Sequence, residues 1–184
     1  MEIPRDPELF HALRQEVQGA LVLDPSTGGR ARLLTLPLLQ SVYVECLRLH
    51  RSSNTVREIA HHDEAVWGVP EHPASEFWAH RHIKYVESTD EAGNSQRKPE
   101  FSMAGRPSSF FPRRLPVCPS RHFAKQEILI SLSLIIAKLD IEYVGRTKLD
   151  GSLSDRSAKD NDDYAGAEAM PPDRDMRIRG KRLW

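Results

Sequence analysis

The feature that most constrains this chain of 184 residues is a long stretch, from Arg51 to Arg114, in which hydrophobic periodicity fails. Prolines interrupt the stretch repeatedly, so no regular helix or strand is expected there. It is also rich in aromatic residues, and irregular chain of that composition is usually packed against a core. The prolines are Pro70, Pro73, Pro99, Pro107 and Pro112, and the aromatic residues are Trp67, Phe77, Trp78, Tyr85, Phe101, Phe110 and Phe111.

Three other segments have helical periodicity. Asp6 is a favourable N-cap and Pro7 suits the first helical position, which predicts a helix over residues 6–19. Leu36 to His50 predicts a second helix with a broad apolar surface, and Arg121 to Leu139 predicts a third. We therefore expect two helices before the irregular stretch and one after it.

The chain changes character after the third predicted helix. Ile141 to Val144 is typical of a strand, and Asp175 to Trp184 could form a terminal strand. Between them, the polar segment Lys148 to Asp163 predicts a solvated loop or disordered chain.

Composition excludes several functional classes. Because 26 Lys+Arg balance 26 Asp+Glu, the positive surplus that favours nucleic-acid binding is missing. Cys46 and Cys118 lie far apart with no metal-ligand spacing, which favours a reducing compartment. Polar residues break the longest apolar run, Ile128 to Leu139, so no membrane segment is expected in this chain. With only 39% hydrophobic residues, a partly disordered chain is an open alternative.

Glu45 and Arg48 lie three residues apart in the second predicted helix, within ECLRLH, so their side chains leave the same face. Such a pair is most often a solvated surface pair. Arg81 could reach back to Glu45 if the irregular stretch folds over the helix, and a guanidinium suits a buried carboxylate. A surface pair and a buried cluster both remain open at this point.

Cys118 lies where a loop leads directly into the third predicted helix. The dipole at a helix N-terminus favours the thiolate, which is a soft anionic ligand for iron. The alternative is a buried, inert cysteine, because free cysteines are among the most buried residues.

Taken in order, three segments resemble motifs of the cytochrome P450 family, the haem-thiolate monooxygenases. The family's K helix carries a Glu-x-x-Arg motif, which ECLRLH resembles. The segment that supplies a second arginine resembles HPASEFWAHRH, and the haem-binding loop resembles FFPRRLPVCPSRHFA. The resemblance implies that Glu45, Arg48 and Arg81 form the family's structural triad. It also implies that Cys118 is the axial ligand of the haem iron.

The resemblance extends to other positions. Phe111 stands seven residues before Cys118 and Ala124 six after it, as the family's pattern requires. Arg57 and Arg121 are candidates to bind the haem propionates through charge-assisted hydrogen bonds. The family's J helix is similar to PRDPELFHALRQEV, and its last strand is similar to DMRIRGKRLW. Within the family, the chain looks closest to the fungal sterol 7-hydroxylase and prostacyclin-synthase-like branch.

The fold class implied by the resemblance is mainly α with short β strands, as an incomplete C-terminal, proximal part of the cytochrome P450 fold. Residues 1–147 would form a partial domain with the J, K and L helices and the haem-binding loop. Residues 148–184 would add a polar loop and the C-terminal strand of the same domain.

The implied function is that of a haem- and iron-dependent monooxygenase acting on a lipophilic substrate, of which a sterol is one candidate. The implied partner is NADPH-cytochrome reductase, and the family's usual location is the endoplasmic reticulum membrane. No segment resembles the oxygen-activating distal helix or a membrane anchor. We therefore assign no catalytic residue, and expect this chain to be inactive alone and cytoplasmic if expressed alone.

Several positions depart from the family's pattern. Arg114 stands four residues before Cys118 and Ser120 two after it, where the family usually has glycine. Glycine at such positions lets the backbone approach the porphyrin closely. Pro116 occupies a common propionate-binding position, and the connection after the second helix is short. These departures leave a second interpretation open, namely a non-catalytic, degenerate remnant or interaction module without haem.

Two further alternatives concern polar side chains. Scattered histidines and an aspartate could bind zinc or iron, although such histidines in polar loops are usually solvated. The basic C-terminal end could bind phosphate, although its alternation with apolar residues favours an edge strand with a solvated face. The candidate metal ligands are His61, His62, Asp63, His72, His80 and His82, and the basic residues are Arg174, Arg177, Arg179, Lys181 and Arg182.

Overall fold

The computed structural model describes residues 3–23, 30–50, 67–89, 95–103, 120–159, 161, 163 and 171–183. Within these ranges the chain forms four α-helices, a short 3-10 helix and five strands in two antiparallel sheets. In chain order the elements are the 3-10 helix Ile3–Arg5, α1 (Pro7–Leu23), α2 (Arg30–Leu33), α3 (Pro37–His50), β1 (Ile83–Thr89), β2 (Ser95–Phe101), α4 (Arg121–Lys138), β3 (Leu139–Thr147), β4 (Leu153–Ser154) and β5 (Asp175–Arg182).

Helix α1 begins where the sequence predicts and continues one turn further than expected. The carboxylate of Asp6 accepts the backbone N–H of Leu9 at 2.9 Å, as an N-cap does. We expected the helix to end near Gly19, but Ala20 lies in the core with 3% of its surface exposed. This packing offsets the low helix propensity of glycine, which is about 1 kcal/mol less favourable than alanine.

Helix α3 starts one residue after its predicted beginning, and a side chain of α1 caps it. The carboxylate of Glu16 accepts the N–H of Leu38 at 2.9 Å and that of Leu39 at 3.0 Å. The first N–H groups of a helix have no acceptor within the helix, so Glu16 satisfies two of them. Burial raises the pKa of Glu16, against the opposing effect of these two hydrogen bonds.

Helix α4 passes directly into strand β3 without a loop. Leu139, the residue after the helix, already has extended backbone angles, with φ −119° and ψ 134°. Arg14 of α1 binds this junction, because its guanidinium donates to the carbonyl oxygens of Ile136 at 3.2 Å and Leu139 at 2.7 Å. It also binds the carboxylate of Asp140 at 3.1 Å. Arg14 therefore binds one carbonyl group that the helix end leaves without a partner, that of Ile136, and the carbonyl group of the first strand residue, Leu139.

The C-terminal sheet has the strand order β4–β3–β5, with both pairs antiparallel. Strand β3 extends well beyond the predicted residues 141–144, since it pairs with β5 from Leu139 to Thr147, with a shift of register between Tyr143 and Gly145. The polar segment after it was expected to be a solvated loop or disordered, yet it contains β4. Gly151, with a φ of 83° that favours glycine, lies in the turn that returns the chain to β3.

The hairpin of β1 and β2 lies in the stretch for which the sequence predicts no regular structure, and that expectation is wrong for these residues. Every residue of β2 except Phe101 is exposed, so the hairpin carries little of the period-two hydrophobic signal that identifies a strand. Pro99 stands opposite Tyr85 in this two-stranded sheet. Proline is tolerated there because, among the described strands, β1 and β2 each have one edge without a neighbouring strand.

The main core lies between α1, α3 and α4, and a smaller cluster packs where α3 meets the segment 67–82. Nowhere in the described ranges does a helix have the length and apolarity needed to cross a bilayer. The main core contains Leu9, Phe10, Leu13, Val17, Ala20, Leu33, Leu36, Leu38, Leu39, Val42, Ala79, Leu129 and Ile136, and the smaller cluster contains Val44, Trp67 and Ala74.

Replacing the carboxylate that caps α3 should destabilise the fold. We expect Glu16→Ala to lower the free energy of unfolding by about 1–3 kcal/mol, because two partly buried N–H groups lose their acceptors. Urea unfolding followed by circular dichroism measures this loss. Gln18→Ala, an exposed position two residues along the same helix, is the matched control. An unchanged urea midpoint in Glu16→Ala would show that the cap contributes nothing.

Candidate functional site

The carboxylate of Glu45 is fully buried and is bound by nitrogen donors on both oxygens. Arg48, one turn along α3, donates from Nε to Oε2 and from Nη2 to Oε1, both at 2.8 Å. Arg81 donates from Nε to Oε1 at 2.8 Å, and the backbone N–H of Trp78 reaches the same oxygen at 3.2 Å. The pair in ECLRLH is therefore buried rather than solvated, and Arg81 lies against it.

The other donors of the two guanidinium groups bind the irregular segment 67–82. Backbone carbonyl groups in buried irregular chain need donors from outside a regular ladder. A guanidinium carries five N–H donors in a fixed fork and can supply several of them at once. The carbonyl acceptors are those of Ala74 (2.7 Å) and Glu76 (3.3 Å) for Arg48, and those of Pro73 (2.9 Å), Glu76 (2.8 Å), His72 (3.4 Å) and Trp67 for Arg81.

His82 also lies beside the carboxylate. Its Nε2 is 3.4 Å from Oε2 of Glu45, and the residue is 1% exposed. Its backbone N–H donates to the hydroxyl of Ser41 on α3 at 3.1 Å, and its carbonyl accepts the N–H of Ser102 at 2.8 Å. We call Glu45, Arg48, Arg81 and His82 the Glu45 cluster.

The electrostatics of the cluster keep Glu45 ionised. Burial by itself raises the pKa of a carboxyl group. Here hydrogen bonds from Arg48, His82 and Arg81 outweigh burial and hold the pKa of Glu45 well below its usual range. The aromatic faces of two tryptophans border the cations, with the guanidinium carbon of Arg48 5.6 Å from the ring centre of Trp67 and that of Arg81 5.7 Å from Trp78.

The predicted haem contacts belong to another part of the chain, of which the structure describes only a portion. Ala124 is exposed in the first turn of α4, and its N–H donates to the carbonyl oxygen of Ser120 at 2.9 Å. Ser120 occupies the N-cap position without a side-chain capping bond. Arg121 begins the helix, but its side chain lies outside the described part. Also outside it are Arg57, Phe111, Arg114, Pro116 and Cys118.

The described histidines do not assemble a metal site. Over the ranges that the structure covers, no three side chains of His, Cys, Asp or Glu are grouped so that they could hold a metal ion. His72 stacks on Trp78 with ring centres 4.3 Å apart, and His80 is exposed, whereas His82 belongs to the Glu45 cluster. The other candidate ligands, His61, His62 and Asp63, lie outside the described residues.

The basic C-terminal end forms the edge strand β5. Arg179 donates to the carboxylate of Glu142 on β3 at 2.7 Å. Arg177 and Lys181 are exposed on the same strand. The arrangement is that of an edge strand with a solvated, charged face.

Sequence reasoning missed the position of His82 and the binding of carbonyl groups by the two arginines. His82 was considered only as one of several scattered metal ligands. Its place next to Arg81 in the sequence is the one signal available. That signal becomes useful only after Arg81 is known to reach Glu45.

Removing the charge of Glu45 should be strongly destabilising. Glu45→Gln leaves two buried guanidinium groups without their anion, and we expect the free energy of unfolding to fall by about 3–5 kcal/mol. Asp140→Asn is the matched control, because this carboxylate also binds an arginine but is 57% exposed, and its loss should be below about 1 kcal/mol. Urea denaturation measures both. Equal losses in the two variants would contradict the assignment of a buried charge cluster.

Stability should also decrease in acid because of Glu45. Its pKa is lower in the folded than in the unfolded chain, so its contribution is complete above the unfolded pKa, about 4.3, and is lost as the pH falls below that value. We expect the urea midpoint to drop between about pH 5 and pH 3. Glu45→Gln should show a smaller drop over the same range, provided that it folds. A parallel pH dependence in both proteins would refute the role of Glu45.

The chain is similar along its length to fungal proteins named cytochrome P450 monooxygenases. It is 44% identical to calL of Penicillium decumbens over 212 aligned positions, which cover 100% of this chain and 38% of the relative. Identity to efuG of Hormonema carpetanum is 27%, over 97% of this chain and 39% of the relative. Identity to fsoE of Humicola fuscoatra is 26%, over 100% of this chain and 38% of the relative.

No family model matches the chain. The chain spans about two fifths of the length of the curated relatives that it matches. Its similarity to calL nevertheless includes every segment discussed above, because the alignment covers the chain completely. At 44% identity, the whole of this chain is similar to part of a protein named a cytochrome P450 monooxygenase.

Proposed function

We propose that this chain is the proximal, haem-binding part of a cytochrome P450 monooxygenase, with Cys118 as the axial ligand of the iron. The observation that carries the proposal is the buried assembly of Glu45, Arg48 and Arg81. The resemblance to the family assigns these three residues to the structural triad. The similarity to proteins named cytochrome P450 monooxygenases supports the same proposal.

The proposed iron ligand has a favourable chemical setting. Cys118 precedes α4 by three positions in the sequence, and the partial positive charge at a helix N-terminus favours a thiolate. Arg57 and Arg121 are proposed to bind the haem propionates, and Phe111 and Ala124 to contact the haem. A thiolate-ligated haem supplies electron density for cleavage of an O–O bond.

Helix α4 has apolar side chains on its exposed side as well as on the face that packs in the core. Leu129 and Ile136 are buried, whereas Phe123, Ile128 and Ile135 are 67%, 47% and 43% exposed. A helix that is apolar around most of its circumference is typically buried on more than one side. The exposed face of α4 is thus suited to contact a haem group and further protein, which supports the proposal.

The substrate class, redox partner and location that we propose are those that the resemblance to the family implies. The substrate is proposed to be lipophilic, with the sterol 7-hydroxylase and prostacyclin-synthase-like branch as the subfamily hypothesis. Electrons are proposed to come from NADPH-cytochrome reductase at the endoplasmic reticulum membrane. We propose that residues 1–147 form one partial domain and that residues 148–184 complete it with a loop and a strand. The chain alone is proposed to be inactive.

A second candidate function rests on the haem-binding loop. Arg114 and Ser120 stand where the family usually has glycine, and a side chain there can prevent close approach of the backbone to the porphyrin. The chain would then be a non-catalytic remnant or interaction module that binds no haem. The exposed apolar residues of α4 are compatible with such a module.

An absorption spectrum of the purified chain distinguishes the two functions. After haem addition, reduction and exposure to carbon monoxide, we expect a red-shifted Soret band of the thiolate type. Cys118→Ala should abolish this band, because it removes the proposed iron ligand. Cys46→Ala is the matched control, since Cys46 lies within α3 and is only partly exposed.

A free-haem or imidazole-type spectrum that Cys118→Ala leaves unchanged would overturn the haem-thiolate proposal for this chain. The double variant Arg114→Gly, Ser120→Gly then identifies the cause. Recovery of the thiolate-type band in that variant would assign the defect to the two substituted glycine positions. No recovery would favour the module without haem.

A further inference from the structure

The imidazole of His82 is a buried titratable group that the proposed haem site does not use. It is 1% exposed and lies near two aromatic rings, with its ring centre 6.0 Å from that of Trp67 and 6.2 Å from that of Phe101. Its backbone is fixed on both sides by Ser41 and Ser102. The position of its side chain is therefore determined by α3, the segment 67–82 and the end of β2 together.

We propose that His82 is a neutral, Nε2-protonated member of the Glu45 cluster, and that it acts as a positioning residue for the Glu45 carboxylate. Nε2 faces Oε2 of Glu45 at 3.4 Å. An ionised carboxylate only accepts hydrogen bonds, so the ring nitrogen that faces it must carry the proton. In a neutral imidazole the other nitrogen, Nδ1, then carries none.

The charges around the ring explain why it is neutral. Among the residues that the structure describes, the charged groups around it are the anion Glu45 and the two guanidinium ions bound to that anion, Arg48 and Arg81. Its other described contacts, with Ser41, Ser102, Trp67 and Phe101, are to uncharged residues. A further cation, Lys125, has its Nζ 5.9 Å from the centre of the Phe101 ring. A protonated His82 would add a third cation to a buried site with one anion, which burial disfavours.

A neutral, buried His82 makes the stability of the fold depend on pH. In the unfolded chain a histidine binds a proton below about pH 6.5, whereas the buried neutral ring does not. The unfolded state therefore binds more protons as the pH falls, so stability declines. Between pH 7 and pH 5, one such histidine lowers the folding equilibrium constant by about 25-fold. The inference concerns the Glu45 cluster and does not depend on the iron ligand.

The experiment combines spectroscopy with a pair of variants. Long-range ¹H–¹⁵N NMR of the full chain, with His82 assigned through its contact with Trp67, reports the tautomer and protonation of the ring. We expect the Nε2–H tautomer and no titration between pH 7.5 and pH 5. The Nδ1–H tautomer, or titration near pH 6.5, would overturn the proposal even if no variant folds.

The variants test the pH dependence. His82→Gln places an amide donor near the position of Nε2 but cannot titrate, so we expect near-native stability at pH 7 and loss of the 25-fold decline toward pH 5. His80→Gln is the matched control at an exposed position, and it should keep the decline of the unsubstituted chain. The same decline in all three proteins would refute the role of His82.

Discussion

The burial of one carboxylate organises much of the described structure. Removing an ion from water is strongly unfavourable unless it is paired and hydrogen-bonded. Glu45 is tolerated because Arg48 and Arg81 bind both of its oxygens, and their remaining donors bind carbonyl groups of the segment 67–82. A segment without a strand ladder is thereby attached to α3 through side chains. The fold of this region depends on electrostatics more than on regular backbone pairing.

Helix α1 supplies a second set of polar contacts between elements. Glu16 caps the beginning of α3, and Arg14 binds the carbonyl groups at the end of α4. Both side chains leave α1 between the apolar residues that form its buried stripe, such as Leu13 and Val17. Apolar burial therefore holds the three helices together, and two charged side chains fix where the other two helices begin and end.

The sequence predicted the elements whose signals are local. The helices α1, α3 and α4 follow from apolar periodicity and from Asp6 as a cap, and their ends differ from expectation by a few residues. The hairpin of β1 and β2 could not be predicted in this way, because β2 is exposed along nearly its whole length and β1 alternates over only part of its length. The i, i+3 spacing suggested the contact of Glu45 with Arg48, whereas the place of His82 depends on how residues distant in sequence meet.

The junction between α4 and β3 couples the orientation of the C-terminal sheet to that of the helix. Because Leu139 is extended immediately after the last helical residue, no loop is present to absorb a rotation of α4 about its axis. The direction of β3, and with it the placement of β4 and β5, which pair to β3 on either side, is therefore set by the end of α4. Arg14 binds the same point from α1. The orientation of the C-terminal sheet thus depends on how α1 packs against α4.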